Sequence, residues 1–134
     1  MIEVYIDGAS AGDPGMSGAG IFIKTGHGPA LTYSVPLGVM SNHEAEFRAL
    51  ISALKKCREN GFKIVSFRTD SQAVERAVEK KYAKDKRYEP LLKDALELID
   101  ELDLFFIKWI PSKQNKMADE LARKAIQLNG KETE

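Results

Sequence analysis

Up to residue 35 the apolar side chains of this chain recur with a period of 2, and from Ser41 they recur with a period of 3.6. No other feature narrows the choice of fold so sharply. Ile2, Val4 and Ile6 alternate with Glu3 and Tyr5, as in a strand with one buried face, and Asp7 ends the run. The turn-rich segment from Gly8 to Gly15 leads to a second strand through residues 18–23. Gly26-His27-Gly28-Pro29 then reverses the chain into a third strand over 31–35. Three strands joined by short turns predict an antiparallel meander.

Ser41 and Glu44 have the spacing of a capping box at a helix start. Phe47, Leu50, Ile51 and Leu54 form the buried stripe of that helix, which runs to Asn60-Gly61, where glycine suits a left-handed stop. A fourth strand over 63–68 follows, then a helix carrying Ala73, Val74, Ala77 and Val78. Another helix is predicted over 88–102, a fifth strand over 104–109 ended by Pro111, and a last helix over 115–128. Helices between the later strands imply parallel pairing among them. The fold class expected is α/β, with a five-stranded mixed sheet flanked by helices. That sheet combines a three-strand antiparallel meander with two parallel strands. Residues 1–128 read as one domain, and the polar tail 129–134 is expected to fray.

Composition excludes several function classes. With 134 residues, 43% hydrophobic and 30% charged, the chain belongs to neither the collagen-like nor the disordered class. Twenty basic side chains offset twenty acidic ones, which argues against binding polyanions by bulk charge but leaves a local patch open. The single cysteine, Cys57, permits no intramolecular disulfide and fits a reducing compartment. No secretory h-region and no apolar run of about 20 residues is visible. The expectation is a monomeric cytoplasmic protein with no membrane partner.

Four carboxylates stand where the local pattern does not require them. Asp7 terminates an apolar strand, and Glu46 borders the stripe of the first helix. Asp70 follows a strand that feeds a helix, the usual ligand position in open α/β sheets. Asp119 sits beside Ala118 at the start of the last helix. Taken singly, Asp70 also reads as a helix cap, Asp119 as a complement to the helix dipole and Glu46 as a solvated edge residue. Converging carboxylates repel one another and raise their pKa values, and divalent cations relieve that repulsion. All-oxygen ligation favours magnesium or manganese over zinc.

The residues around these acids resemble type-1 ribonuclease H. Tyr5-Ile6-Asp7-Gly8-Ala9-Ser10, Gly12-Asp13-Pro14-Gly15 and Gly18-Ala19-Gly20 are similar to that family's opening. Ser41-Asn42-His43-Glu44-Ala45-Glu46 resembles its Thr-Asn-Asn-x-x-Glu helix start, and Thr69-Asp70-Ser71-Gln72 its Thr-Asp-Ser-Gln turn. The segment Asn115 to Ala122 resembles its Asn-x-x-Ala-Asp-x-Leu-Ala helix. The resemblance spans the chain from first strand to last helix and implies the ribonuclease H-like fold. It implies an endonuclease that cuts the RNA strand of RNA–DNA hybrids with two Mg2+ ions, Mn2+ being a possible substitute. Asp7, Glu46, Asp70 and Asp119 are then the catalytic and metal residues. Gly8, Ser41, Asn42, His43, Gln72 and Asn115 are the substrate-binding candidates. The resemblance also implies that Glu46 and Gln72 face the RNA, and Ser41 and Asn42 the DNA backbone.

The chain also departs from the family pattern. No histidine stands in Trp109-Ile110-Pro111-Ser112-Lys113-Gln114-Asn115, before the last acid. Asp13 replaces an asparagine and His43 a second one; His43 reads equally as a phosphate contact and as an exposed first-turn residue. The basic stretch from Lys80 to Tyr88 reads as a phosphate track or as a solvated connection. Two alternatives follow: a weakly active or inactive hybrid-binding protein, and a nuclease of this fold acting on a DNA junction.

Overall fold

The computed structural model describes residues 1–129. Its order is β1 (Ile2–Ser10), β2 (Gly15–Lys24), β3 (Leu31–Met40), α1 (Asn42–Glu59), β4 (Ile64–Thr69), α2 (Gln72–Lys80), α3 (Glu89–Ile99), β5 (Leu104–Trp109) and α4 (Lys116–Leu128). The five strands form one sheet in the order β3-β2-β1-β4-β5. The β1–β2 and β2–β3 pairs are antiparallel, and β1–β4 and β4–β5 are parallel. The expected mixed sheet is the observed one.

Alternation along the strands divides the helices between two faces. Val4, Ile6, Ile21, Ile23, Val65, Phe67 and Ile107 join Phe47, Leu50 and Leu54 of α1, with Val74 of α2 and Leu92 of α3, in the main core. On the opposite face α4 packs against β1, β2 and β3. It presents the small buried side chains Ala118, Ala122 and Ala125 there.

Three local expectations change. β3 continues five residues past Val35, through Pro36 and Gly38. An edge strand tolerates proline because one side of it needs no ladder donor, and the register slips between Ser17 and Gly18, opposite these residues. The capping box at α1 is only half formed: the Ser41 hydroxyl accepts from the Glu44 amide at 3.1 Å, but the Glu44 carboxylate turns to Arg48 at 2.9 Å. The helix expected over 88–102 is a 3-10 turn at Lys86–Tyr88 followed by the shorter α3, with Pro90 in its first turn. Gly61 adopts the left-handed stop expected of it, at φ +73°.

Asn129, assigned to the fraying tail, is anchored. Its Nδ2 donates to the Ser17 carbonyl at 2.8 Å and its Oδ1 accepts from the Gly38 amide at 2.9 Å. The remainder of that tail, 130–134, lies outside the described residues.

Candidate active site

Strand register and two glycines bring the four acids together. Ile6 pairs with Thr69 across the parallel β1–β4 ladder, so Asp7 and Asp70, each one residue further on, leave neighbouring strands at the same end. Gly8 faces α1 so closely that a Cβ there would overlap the Ala45 carbonyl and lie 2.6 Å from the Glu46 amide. That contact of backbones delivers Glu46 beside Asp7. Gly20, the partner of Asp7 on β2, meets α4 in the same way: a Cβ would overlap the Ala118 carbonyl and lie 2.5 Å from the Ala122 amide. Asp119 is thereby delivered from the other side. Gly8 is thus a packing residue at this point, with no side chain of its own to offer a substrate.

The electrostatics carry the mark of convergence. Burial, followed by the charges of Asp70, Asp119 and Glu46, pushes the Asp7 carboxyl up to about 8 from an ordinary 3.8. Burial also raises Glu46 and Asp70, with the charge of Asp70 adding to the rise at Glu46. Partial relief comes from His43, whose Nδ1 lies 3.3 Å from Glu46 Oε1, and from Arg123, whose Nε lies 3.1 Å from Asp119 Oδ2. The Asp119–Arg123 pair is legible in sequence as an i,i+4 spacing.

Asp70 is not the cap of α2. The Ser71 hydroxyl accepts from the Val74 amide at 3.2 Å, and the Thr69 hydroxyl accepts from the Ser71 amide at 3.0 Å. The neighbours do the capping and leave the Asp70 carboxylate to the acid cluster. Trp109 is half-exposed and donates its indole N–H to the Asp70 carbonyl at 3.1 Å.

The other candidates are spread around this centre. Gln72 opens α2 on the surface, two residues past Asp70. Ser41 and Asn42 start α1, with the Ser41 hydroxyl 3.1 Å from the Tyr88 hydroxyl. Asp13 Oδ1 accepts from the Asn42 amide at 3.2 Å, so this departure from the family pattern serves as a second cap on α1. Asn115 points inward: it is 1% exposed, and its Nδ2 donates to the Ile6 carbonyl at 2.8 Å, clamping the start of α4 to β1. Tyr88, stacked on Phe47, is the member of this region that motif reading missed; within a run of lysines it carries no signal of burial.

In chemical kind the cluster suits hard divalent cations: four partly buried carboxylates, of which Asp7, Glu46 and Asp70 are raised in pKa by burial and by neighbouring acids. Among the described residues no three His, Cys, Asp or Glu side chains already converge as a finished cage. An entering ion would draw them inward. An all-carboxylate site of this type is suited to phosphodiester hydrolysis.

Comparisons with known proteins agree with this geometry. Residues 5–125 match the model of the family described as reverse transcriptase-like. EbsB of Enterococcus faecalis, named as a hydrolase, is 44% identical over 129 residues, covering 95% of each chain. Ribonuclease HI of Halobacterium salinarum is 32% identical over 127 residues, 93% of this chain and 64% of that one. The crystal structure of ribonuclease H1 from that archaeon superposes with a TM-score of 0.88 over 94% of this chain and 97% of its own. LC11 ribonuclease H1, solved in complex with an RNA/DNA hybrid, gives 0.86 at 29% identity, over 95% and 97%. With four acids gathered at the ends of β1 and β4 and relatives of this kind along nearly its whole length, the chain belongs to the reverse transcriptase-like family and, within it, to the type-1 ribonucleases H.

Proposed function

We propose that this protein hydrolyses the RNA strand of RNA–DNA hybrids, leaving 5′-phosphate and 3′-hydroxyl ends. The observation that carries this reading is the joint placement of Asp7, Glu46, Asp70 and Asp119, with the Asp7 carboxyl pushed up to about 8. Asp7, Glu46, Asp70 and Asp119 would hold two Mg2+ ions, or Mn2+ in their place. Bound there, such ions supply an activated water and neutralise charge on the leaving oxygen.

The chain's own residues do the rest. Glu46 and Gln72 accept from and donate to the 2′-hydroxyls that distinguish RNA. Ser41, Asn42 and His43 meet the DNA backbone at the start of α1, where the helix dipole favours phosphate. Gly8 and Asn115 act from beneath, the one by letting α1 approach, the other by fixing α4 to β1. Contacts to backbone rather than base edges make cleavage largely independent of sequence. Residues 1–128 form the working domain, which acts as a cytoplasmic monomer. Among the described residues no helix is long and apolar enough to cross a membrane.

One observation favours a second reading, hybrid binding with little turnover. The 3-10 turn at Ser112–Gln114, before Asp119, offers Lys113 and no histidine. An assay separates the two. End-labelled hybrid, duplex RNA, duplex DNA and a DNA junction are incubated with Mg2+, Mn2+ or chelator, with Asp70→Asn in parallel. The expected result is cleavage of hybrid RNA alone, lost with chelator and in the variant. Binding without cutting in either metal selects the second reading, and junction cleavage defeats both.

A further inference from the structure

We infer that the outer face of β1, β4 and β5 binds single-stranded RNA that continues beyond the hybrid. This rests on the reading of the acid cluster as the cutting site and adds a surface next to it. Since α4 packs on β1, β2 and β3, the outer sides of β4 and β5 stand open. Register places side chains there in rows across the sheet. Asp7 and Gly20 occupy one row, with Asp70 at its end. The next row is Phe22–Tyr5–Arg68–Lys108, and the one beyond it is Lys24–Glu3–Ser66–Phe106. The second row therefore lies two residues along β1 from the acids.

Its chemistry matches an unpaired polynucleotide. The cations are held in place by aromatic faces: Lys24 Nζ lies 5.4 Å and Arg68 Cζ 5.5 Å from the centroid of the Tyr5 ring. Glu3 is the acid of these rows, and Arg68 engages it at 2.7 Å, which leaves Lys24 and Lys108 for phosphates. Lys113 and Lys116 border the same surface through a shallow pocket shared with Tyr5, Phe22 and Lys24. In a chain with no net charge this face is strongly basic. Beside the lysines, Phe106 is 49% exposed, Leu104 50% and Ile64 45%. A duplex hides its bases and has no use for such side chains, whereas the splayed bases of a single strand stack on them while lysines track the phosphates. Because the acids receive the RNA strand, the tail that reaches this face is RNA.

Anisotropy measurements test the inference. Blunt hybrid is compared with hybrids carrying about ten nucleotides of single-stranded RNA, or of single-stranded DNA, at either end. The protein is Asp70→Asn in Mg2+, alone and combined with Phe106→Ala or Lys108→Glu. The expected result is about 5-fold tighter binding of a tailed hybrid, falling below about 2-fold with either face substitution while Tm is retained. Equal affinity for blunt and tailed hybrids overturns the inference. So does a gain that only a DNA tail produces, a gain that survives Lys108→Glu, or self-association abolished by Phe106→Ala. Cleavage of blunt hybrid by the unmodified protein is scored separately, so loss of the tail effect leaves the cutting reading standing.

Discussion

Asp7 stands directly opposite Gly20 in the β1–β2 ladder, and the missing side chain at Gly20 is what lets α4 carry Asp119 up to it. Gly20→Ala would drive a methyl into the Ala118 carbonyl, with the Leu121 Cβ only 2.9 Å away. Backbone cannot rotate aside as a long side chain can, so α4 must lift. The expected cost is about 1–3 kcal/mol of stability. Metal affinity should fall with it, since Asp119 moves away from Asp7. Thermal melts and calorimetric Mn2+ titration check both; a variant that keeps its Tm and its Mn2+ affinity removes the role assigned to Gly20.

Stability should fall with rising pH when no divalent cation is bound. The Asp7 carboxyl loses its proton near 8 in the folded protein and near 3.8 once unfolded. Between those values the native state holds a proton that the unfolded chain has released. Raising pH therefore favours unfolding, by up to about 1.4 kcal/mol per pH unit for one group. Glu46 and Asp70, also raised, act in the same direction. Asp7→Asn should flatten the profile and raise Tm at pH 8. Mg2+ should stabilise more at pH 8 than at pH 5, because it binds the deprotonated form. Melts in chelator from pH 5 to 8 decide the matter, and a Tm that climbs through that range contradicts the convergence of the acids.

Neighbouring residues at the β4–α2 junction should separate cleanly. Ser71 holds the first turn of α2 and hydrogen-bonds Glu46, so Ser71→Ala costs about 1 kcal/mol while all four carboxylates are retained. Asp70→Asn caps nothing and relieves repulsion, so it should fold at least as stably while losing RNA hydrolysis by orders of magnitude. Paired melts and cleavage rates test the division of labour. A destabilised Asp70→Asn protein would return that residue to the role of a cap.

Much of this molecule is legible without coordinates because its periodicities are strong. The alternation of Ile2, Val4 and Ile6 and the Phe47–Leu50–Leu54 stripe name their elements, and four short motifs name the acids. What remained hidden depends on long-range pairing. Pro36 and Gly38 look like strand terminators, and only the edge position of β3 makes them tolerable. Asn115 and Asn129 look like surface amides, yet each is tied to backbone more than a hundred residues away. Gly8 and Gly20 read as turn or motif glycines; their task is visible only once α1 and α4 lie against them.

Asn115 offers the sharpest contrast between motif and structure. The family motif makes it a substrate contact, whereas its amide is 1% exposed and donates to the Ile6 carbonyl, one residue before Asp7. Its Oδ1 is buried without a hydrogen-bond partner, so the side chain already carries the cost of one unmet acceptor. Asn115→Ala deletes the clamp between β1 and α4 and strands the Ile6 carbonyl, for about 1–3 kcal/mol and a Tm drop of about 5 °C or more. Asn115→Asp should be worse, because a carboxylate then faces both that carbonyl and the raised acids, and the penalty should grow with pH. Were the residue a direct substrate contact, the alanine variant would keep its Tm and raise KM alone. A positioning residue instead loses stability and kcat together, since Asp7 and Asp119 lose their common anchor. Melting curves and a kcat-against-KM comparison on the same hybrid therefore assign Asn115 to one role or the other.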